Sequence, residues 1–503
     1  MTKKFAAERL EQVIALAWRG KEKSSCVWWQ GEWWSWERLN ALASDCEEKL
    51  RRSGFGSGQR LAVLLPNSPM VHALSLACWR LGGTIAPLNA RAGLCNLTNT
   101  LKMLDVNAII LTEDAFAKSS EFKADIPLVP STLDAPLPEW KGRTGKPESS
   151  DMAVIFSTSG TSGLPKAVPC LHSNLLGNLA PINEHVPGIA SDDAVFLNVL
   201  PSFHTFGFNI AGALPLVYGI RQAIIPSFIP VNDTIRAIVD AQVSRIIAVP
   251  TMLTFLVSTL AKKNMRLHGI KYVIAGGDRY NVQWDERCRE YLGVGVLEGY
   301  GLTETSPVIA VNQSEETKKL GTVGRPYADY EIAVRDRAGK PIGIHEEGVL
   351  WVRGPSVVPG YFRDPENTAA RFHDGWLDTG DVVQIDKDGF IKIVDRATDI
   401  IIVGGFNVYP QEVEAVLCSH PAVHAAAVVG ESNKVTGELV KAFIILNDGV
   451  RVTAKELKEF CRERLAHYKI PRRIGFVKEF PVSQTGKLLR RELRKIKIDS
   501  RQG

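Results

Sequence analysis

The chain has 503 residues, of which 45% are hydrophobic and 23% are charged, and its formal net charge is +5. A chain of this length and composition can bury a large core, and its length predicts more than one domain. Basic residues are spread along the sequence except near the C-terminus, so we expect no nucleic-acid partner.

Cysteine usage and the N-terminus predict a soluble cytoplasmic protein. The eight cysteines lie far apart, without a C-x-x-C pair or the Cys/His spacing of a zinc site, which is typical of reduced thiols. The start, MTKKFAAERLEQ, lacks the apolar segment of a signal peptide. No apolar run reaches the roughly 18 residues that a transmembrane helix needs.

The first distinctive element is VWWQGEWWSWERLN, which predicts a hairpin that turns at Gly31 and leads into a helix. The tryptophans could form an aromatic platform for a ligand. Packing of the side chains across the two strands is the favoured interpretation.

Through the first 300 residues, short apolar runs alternate with helical patterns, as in a parallel sheet covered by helices. Examples of the predicted strands are residues 61–65, 246–249 and 272–275. Between the last two, Thr251 is predicted to cap a helix in which Leu253, Leu256 and Leu260 share one face.

The stretch STSGTSGLPK, residues 157–166, follows the apolar run 153–156. Its glycines let backbone amides approach a ligand, its hydroxyls can donate hydrogen bonds, and Lys166 adds a mobile positive charge. It is not a Walker A loop, because Pro165 precedes the lysine and Ala167 follows it. A flexible linker is the alternative, but the preceding strand and the Pro-Lys pair favour a loop that binds a polyphosphate.

After residue 320, denser glycines and turns predict an antiparallel section. Near the end, Thr453 and Glu456 form a possible capping box for a helix with apolar residues at helical spacing. A compact α+β unit of about 100 residues would fit the C-terminal part.

Several motifs along the chain, taken in order, resemble those of a known family. STSGTSGLPK is similar to the phosphate loop of the adenylate-forming superfamily, which includes acyl- and aryl-CoA synthetases, firefly luciferase and the adenylation domains of peptide synthetases. The resemblance continues in order through YGLTE at 300–304, TGD at 379–381, DR at 395–396, GGFNVYP at 404–410 and QTGK at 484–487.

The resemblance implies an α/β fold with two domains. The large N-terminal domain, residues 1–396, would contain parallel sheets covered by helices, an antiparallel subdomain and the acyl pocket. The small α+β domain, residues 397–503, would rotate on a hinge.

The resemblance also implies a reaction in two steps. A carboxylate attacks the α-phosphate of ATP to give an acyl-adenylate and pyrophosphate, and a thiol then attacks the acyl carbon and releases AMP. Because the first step brings an anion to a polyanion, it needs cations and oriented donors. The residues that would hold the β- and γ-phosphates are Ser157, Thr158, Ser159, Gly160, Thr161, Ser162, Gly163 and Lys166.

In YGLTET, the resemblance assigns Glu304 to Mg²⁺, Thr303 to the α-phosphate region and Tyr300 to stacking on adenine. A single carboxylate beside substrate phosphates is a normal way to hold Mg²⁺. A solvated surface charge is the alternative for an isolated glutamate.

Three more residues would contact the nucleotide. Asp381 resembles the aspartate that accepts hydrogen bonds from the ribose hydroxyls, and Arg396 resembles an arginine that contacts ribose or phosphate. A salt bridge is the alternative for either side chain. Gly277 matches a segment whose backbone lines the adenine and acyl sites, although it could equally form an ordinary turn after a strand.

Lys487 is the predicted catalytic residue of the first half-reaction, where it would bridge the incoming carboxylate and the α-phosphate. A solvated basic helix is the alternative, but the preceding turn sequence places Lys487 outside that helix. For the second half-reaction, domain rotation would replace Lys487 with the loop that contains Gly404 and Gly405. The hinge position holds Thr398 where relatives usually carry Asp or Lys, and we expect Thr398 to serve as the hinge despite its stiffer β-branched side chain.

The acid and the thiol are predicted from weaker features. His204, in PSFHTFG, resembles a histidine that helps to gate the acyl pocket, with a core histidine as the alternative. The apolar segments after His204 and after YGLTET look most like those of fatty acyl-CoA and acyl-carrier-protein synthetases, which predicts a medium- or long-chain fatty acid.

CoA is the favoured acceptor, because no segment between Glu304 and Asp381 resembles the insertion of fatty acyl-AMP ligases; acyl carrier protein is second. An aryl-acid CoA ligase and a non-catalytic protein that binds acyl groups or adenylates are further alternatives.

Overall fold

The computed structural model describes residues 5, 8–90, 94–117, 126–142, 151–158, 166–278, 280–336, 339–396, 399–403, 406–433, 437–482 and 488–498. The chain divides into two compact units. The first contains Met1–Ile332, Val352–Leu377 and Gly389–Ile391, and the second contains Ala333–Trp351, Asp378–Asp388 and Lys392–Gly503. The predicted domain boundary after residue 396 stays a prediction.

The strands, in chain order, are β1 (Ser25–Trp29), β2 (Glu32–Ser35), β3 (Arg60–Leu64), β4 (Thr84–Pro87), β5 (Ala108–Thr112), β6 (Leu128–Ser131), β7 (Met152–Thr158), β8 (Lys166–Leu171), β9 (Val195–Asn198), β10 (Arg221–Ile224), β11 (Arg245–Ala248), β12 (Tyr272–Ala275), β13 (Val296–Gly301), β14 (Val308–Val311), β15 (Arg325–Pro326), β16 (Glu331–Arg335), β17 (Gly348–Arg353), β18 (Phe372–His373), β19 (Trp376–Ile385), β20 (Ile391–Arg396), β21 (Ile401–Val403), β22 (Phe406–Val408), β23 (Val423–Asn433), β24 (Gly437–Leu446) and β25 (Arg473–Phe476).

The α-helices are α1 (Leu10–Ala17), α2 (Trp36–Arg52), α3 (Pro69–Arg80), α4 (Leu94–Leu104), α5 (Glu113–Ala117), α6 (His172–Leu179), α7 (Ile182–His185), α8 (Leu214–Tyr218), α9 (Val231–Asp240), α10 (Pro250–Lys262), α11 (Trp284–Leu292), α12 (Pro365–Arg371), α13 (Pro410–Cys418), α14 (Ala454–Arg462) and α15 (Arg490–Lys495). A π-helix covers Phe206–Ala213, and short 3₁₀ turns cover Thr303–Thr305 and His467–Lys469. In the part of the chain that is described, no helix is long and apolar enough to cross a membrane.

A six-stranded sheet has the order β6-β5-β3-β4-β7-β8. Its first five strands are parallel, whereas β8 pairs antiparallel with β7. The apolar run at the centre of β7 is fully buried, as the sequence predicts. Because β8 returns directly beside β7, Thr158 and Lys166 lie opposite each other at the carboxyl end of β7.

A nine-stranded sheet has the order β15-β14-β13-β12-β11-β9-β10-β1-β2. Strands β9 to β13 together with β1 form its parallel part, whereas β2 pairs antiparallel with β1 at one edge, and β14 and β15 each pair antiparallel with the preceding strand at the other. In such sheets ligands bind beyond the carboxyl ends of the parallel strands. Two of the predicted site segments, Gly276–Asp278 and 302–305, follow the neighbouring strands β12 and β13 directly.

The tryptophan hairpin is confirmed. Gln30 and Gly31 connect β1 and β2 with positive φ angles of 50° and 95°, the backbone that a tight hairpin turn requires. Trp28 pairs with Trp33 across the strands, and Trp36 stacks on Trp18 with ring centroids 5.5 Å apart. The rings therefore pack against the protein, in agreement with the favoured interpretation.

The predicted cap of α10 is wrong, although the helix and its buried face are confirmed. The helix begins at Pro250, with Val249 at the N-cap, so Thr251 lies inside the first turn. Proline favours the first helical position because its φ is already helical and its missing N–H has no partner there. Leu253, Leu256 and Leu260 are buried as expected.

Two more sheets lie in the C-terminal part of the chain. One has the order β16-β17-β19-β18 with β20 beside β19, and β18 pairs antiparallel with β19. The other has the order β22-β21-β24-β23 with β25 beside β24, and its apolar core includes side chains of α13 and α14. Thr453 and Glu456 form the predicted capping box. The predicted fold class is confirmed.

Candidate active site

The predicted phosphate loop begins and ends on paired strands. Ser157 and Thr158 end β7, Lys166 begins β8, and Thr158 Oγ1 donates a hydrogen bond of 3.4 Å to the Lys166 carbonyl. All three side chains are half-buried. The other predicted loop residues, Ser159, Gly160, Thr161, Ser162 and Gly163, lie outside the described residues.

Lys166 and Glu304 both contact the buried side chain of Tyr361. The Lys166 ammonium lies 4.7 Å from the centre of the Tyr361 ring, and Tyr361 Oη donates a hydrogen bond of 2.7 Å to Glu304 Oε1. Burial first, and then the charge of Glu304, raises the pKa of Tyr361 above its usual value. The phenol therefore remains a neutral donor at physiological pH.

Backbone hydrogen bonds hold the segment around Tyr361 on both sides. The amide of Val358 donates to the Glu304 carbonyl at 2.9 Å, and the amide of Phe362 donates to the Ala167 carbonyl at 2.9 Å. Tyr361 belongs to none of the motifs singled out in the sequence. Its signal in the sequence is modest, an aromatic pair after Pro-Gly in VVPGYFRD.

The turn that carries Thr303 and Glu304 requires a glycine before it. A Cβ atom on Gly301 would lie 1.8 Å from the Pro307 carbonyl oxygen, so only glycine allows β13 and β14 to approach this closely. The Leu302 amide donates to the same carbonyl at 3.0 Å, and Thr305 Oγ1 donates to it at 2.6 Å. The glycine of YGLTET is thus dictated by backbone packing.

Side chains from three other segments hold this turn in place. Asn178 Nδ2 donates to the carbonyls of Thr305 and Val308 at 3.2 and 2.8 Å. Asn209 Nδ2 donates to the Ser306 carbonyl at 2.7 Å, and Tyr330 Oη donates to the Thr305 carbonyl at 3.2 Å. Glu304 therefore sits on a preorganised turn, a property that catalysis by oriented charges requires.

Asn178→Ala is expected to lower the free energy of unfolding by about 3 kcal/mol, because it removes the buried side-chain donor of the Thr305 and Val308 carbonyls, although the Thr305 carbonyl keeps its bond from Tyr330. Urea-induced unfolding measures the change. The matched control is Asn183→Ala, which removes the Oδ1 atom that accepts an exposed hydrogen bond from the Ala190 amide and should cost about 1 kcal/mol or less. Equal losses in the two variants would contradict the proposed support of the turn.

Magnesium fits the donor set at Glu304. Tyr361 donates a hydrogen bond to Oε1 of Glu304, and Oε2 has no hydrogen-bond partner among the residues that the structure describes. No cluster of three or more metal-binding side chains occurs in the same described residues. One carboxylate oxygen beside substrate phosphates suits Mg²⁺, which keeps several waters.

Tyr300 and Gly277 lie at the ends of the neighbouring strands. Tyr300 is half-buried in β13, opposite Ala310 of β14. Gly277 follows β12 with a φ of +82°, a backbone that favours glycine, so the turn after the strand is present. The contacts of both residues with adenine stay predictions.

His204 lies two residues before the start of the π-helix at Phe206. It is half-buried, and its Nδ1 accepts a hydrogen bond of 3.3 Å from the Phe206 amide. Every residue of the π-helix is buried, and Asn209 is its only side chain with a polar group. Irregular helices of this kind occur often at functional sites. The apolar segment is evident from the sequence, whereas its π-helical geometry is seen only in the structure.

The remaining predicted residues belong to the second unit. Asp381 is buried in β19, where its amide donates to Thr379 Oγ1 at 3.1 Å. Arg396 ends β20, and its side chain lies outside the described residues. Residues 398, 404, 405 and 487, which include the predicted hinge and the catalytic lysine, also lie outside the described residues.

The fold and the strand-end motifs define a nucleotide-dependent ligase of the adenylate-forming class. The chain belongs to the AMP-binding enzyme family: the model of the AMP-binding enzyme matches residues 14–362, and that of the AMP-binding enzyme C-terminal domain matches residues 412–487.

Curated relatives and solved structures agree with this assignment. The chain is 31% identical over 485 residues to a long-chain-fatty-acid–CoA ligase of Bacillus subtilis (strain 168), covering 88% of this chain and 86% of the relative. It is 34% identical over 479 residues to a 2-succinylbenzoate–CoA ligase of Geobacillus kaustophilus (strain HTA426), covering 91% and 92%. The structure of ATP-bound MatB from Rhodopseudomonas palustris superposes with a TM-score of 0.86 at 26% identity, covering 96% of this chain and 98% of that one.

These comparisons confirm the predicted class of enzyme, an acyl-CoA synthetase that uses ATP and CoA as substrates. The resemblance drawn from the sequence motifs is confirmed with it.

Proposed function

We propose that the enzyme activates a medium- or long-chain fatty acid by adenylation with Mg²⁺ and ATP and then transfers the acyl group to CoA. The observation that carries the proposal is that Lys166 and Glu304 both contact the side chain of Tyr361. It places a cation and a carboxylate together at the end of β7, where ATP phosphates and Mg²⁺ would need them.

In the first half-reaction, the loop from Ser157 to Gly163 and Lys166 bind the β- and γ-phosphates. Glu304 would hold Mg²⁺, and the bound ion would supply positive charge that neutralises the phosphates. Thr303 binds near the α-phosphate. Lys487 donates to the carboxylate and the α-phosphate as negative charge develops between them.

The nucleoside is bound by side chains from several motifs. Tyr300 stacks on adenine beside the backbone at Gly277, and Asp381 accepts hydrogen bonds from the ribose hydroxyls. Arg396 contacts ribose or phosphate. These roles rest on the resemblance of the motifs and on the position of Tyr300 and Gly277 at neighbouring strand ends.

In the second half-reaction, residues 397–503 rotate about Thr398, so that Lys487 leaves and the loop with Gly404 and Gly405 enters. A short hinge is sufficient for such a rigid-body rotation. The thiol of CoA then attacks the acyl carbon and a carbon–sulfur bond forms. The bond between the acyl carbon and the phosphate oxygen breaks, and AMP leaves with its electron pair.

The acyl chain is proposed to lie against the π-helix, next to His204. The π-helix is composed almost entirely of apolar residues, which suits a hydrocarbon chain. An aryl acid is the second candidate, because the chain is equally related to a 2-succinylbenzoate–CoA ligase. Acyl carrier protein remains the second candidate for the acceptor.

Mass spectrometry of the products tests this proposal. Purified enzyme is incubated with ATP, Mg²⁺, CoA and acids from acetate to palmitate together with benzoate- and cinnamate-like acids, with ATP omitted in the control. We expect medium- or long-chain acyl-CoA, AMP and pyrophosphate. Affinity should rise about fourfold per added methylene, because each buried CH₂ contributes about 0.8 kcal/mol, until the pocket is full.

Other products would change the assignment. Aryl-CoA alone would select the aryl-acid alternative. Acyl-adenylate without acyl-CoA would indicate another acceptor, to be tested with acyl carrier protein. ATP binding without acid-dependent pyrophosphate release would indicate a non-catalytic adenylate-binding protein.

A further inference from the structure

Tyr361 joins two groups that lie far apart in the sequence. Its hydroxyl donates to Glu304 Oε1 at 2.7 Å, and the face of its ring lies 4.7 Å from the Lys166 ammonium. Both contacts lie within the first compact unit. No motif identified in the sequence analysis includes this residue.

We propose that Tyr361 is a positioning residue that orients the Glu304 carboxylate for Mg²⁺ and holds Lys166 at the phosphate loop. The proposal deepens the proposed function and rests on it, since it assumes that Glu304 is the carboxylate that holds Mg²⁺.

The first part of the argument is the hydrogen bond to Glu304. A carboxylate on a flexible side chain can rotate, whereas a bond to Oε1 fixes its plane and leaves Oε2 for a metal ion. Tyrosine can donate this bond without adding charge to the site. Hydrogen bonds to metal-binding carboxylates commonly change metal affinity by about 10- to 100-fold.

The second part is the contact with Lys166. A cation over an aromatic face is attracted by the negative charge of the ring face, more strongly when the pair is shielded from water. Tyr361 is buried and Lys166 is half-buried, so this pair is partly shielded. The ring therefore keeps the ammonium near the end of β7 without neutralising it, and the positive charge remains available for phosphate.

The third part is that the protein itself fixes Tyr361. Its amide donates to Thr368 Oγ1 at 2.9 Å, and its ring packs edge-to-face on Phe372 with centroids 5.6 Å apart. The neighbouring amides of Val358 and Phe362 bond to the Glu304 and Ala167 carbonyls. Because these contacts need no ligand, Tyr361 can orient both groups before ATP binds.

Two substitutions separate the hydroxyl from the ring. Tyr361→Phe removes the bond to Glu304 and keeps the ring beside Lys166, whereas Tyr361→Leu removes both. The control is Tyr218→Phe, which loses a hydroxyl that donates to the Leu179 and Ala180 carbonyls at 3.1 and 3.2 Å. ATP binding is measured by calorimetry in EDTA and again during titration with Mg²⁺.

For Tyr361→Phe we expect the Mg²⁺ concentration at half-maximal enhancement of ATP binding to rise about tenfold, with ATP affinity in EDTA within about twofold of wild type because the ring contact remains. Tyr361→Leu should show the same Mg²⁺ shift and also bind ATP more weakly in EDTA. Tyr218→Phe should match wild type in both measurements.

An unchanged Mg²⁺ midpoint in Tyr361→Phe would overturn the proposal, and so would an equal shift in Tyr218→Phe or an absence of any Mg²⁺ effect on ATP binding by the wild type. Pyrophosphate release by the wild type is measured separately. If no acid supports that release, the proposed function fails, while the binding experiment still decides the role of Tyr361.

Discussion

Lys487→Ala is expected to slow acyl-adenylate formation by about a hundred- to a thousandfold. Removing one oriented donor from a developing negative charge usually raises the activation free energy by about 3 to 4 kcal/mol. The reaction of preformed acyl-adenylate with CoA should keep most of its rate, because Lys487 must leave the site before the thiol enters. Rapid-quench assays that follow pyrophosphate and acyl-CoA separately measure the two half-reactions.

The control for this prediction is Lys495→Ala. Lys495 lies in α15, is exposed and donates to the two carboxylate oxygens of Glu492 at 2.7 and 2.9 Å. It tests whether the loss of any lysine from this basic segment slows adenylation. Equal damage to both half-reactions in Lys487→Ala would argue against the assigned role and in favour of misfolding or a different function.

Glu304→Gln is expected to lower the rate of adenylation by roughly a hundredfold, since a metal ion on transferring phosphates stabilises the transition state by several kcal/mol and a neutral amide holds Mg²⁺ poorly. The substitution keeps an oxygen that can accept the Tyr361 hydrogen bond, so the turn should stay folded. Steady-state rates measured over a range of Mg²⁺ concentrations should show a higher requirement for Mg²⁺ as well as a lower maximum.

The comparison variant is Glu316→Gln, an exposed glutamate of the same unit, which should retain the wild-type Mg²⁺ dependence. If Glu304→Gln lost adenylation with no change in the Mg²⁺ requirement, Glu304 would have a role other than holding the metal. If it kept the wild-type rate, the assignment of the YGLTET glutamate would be wrong.

Local patterns in the sequence predicted much of the fold. Strands near residues 61, 246 and 272 follow from short apolar runs, and the tryptophan hairpin follows from a Gln-Gly turn between aromatic strands. The cap of α10 was wrong because Pro250 begins the helix one residue before Thr251. Both residues are compatible with a helix start, and sequence alone does not say which of them the chain uses.

The contacts that support the site could not be predicted in the same way. Tyr361 lies 57 residues from Glu304, and Asn178 lies 127 residues from Thr305. Such pairs follow no helical or strand period, and they meet only because separate strands and helices pack together. An asparagine within a helix and an aromatic residue after Pro-Gly are too common to indicate these partners.

The sequence by itself determined the family, the class of reaction and the types of residue at the strand ends, because ordered motifs and apolar periodicity are local properties. Only the tertiary structure decided that Lys166 and Glu304 share one tyrosine, and that three side chains from other segments hold the turn at 303–306. These arrangements depend on how distant segments pack, and the free energy of that packing is distributed over the whole core.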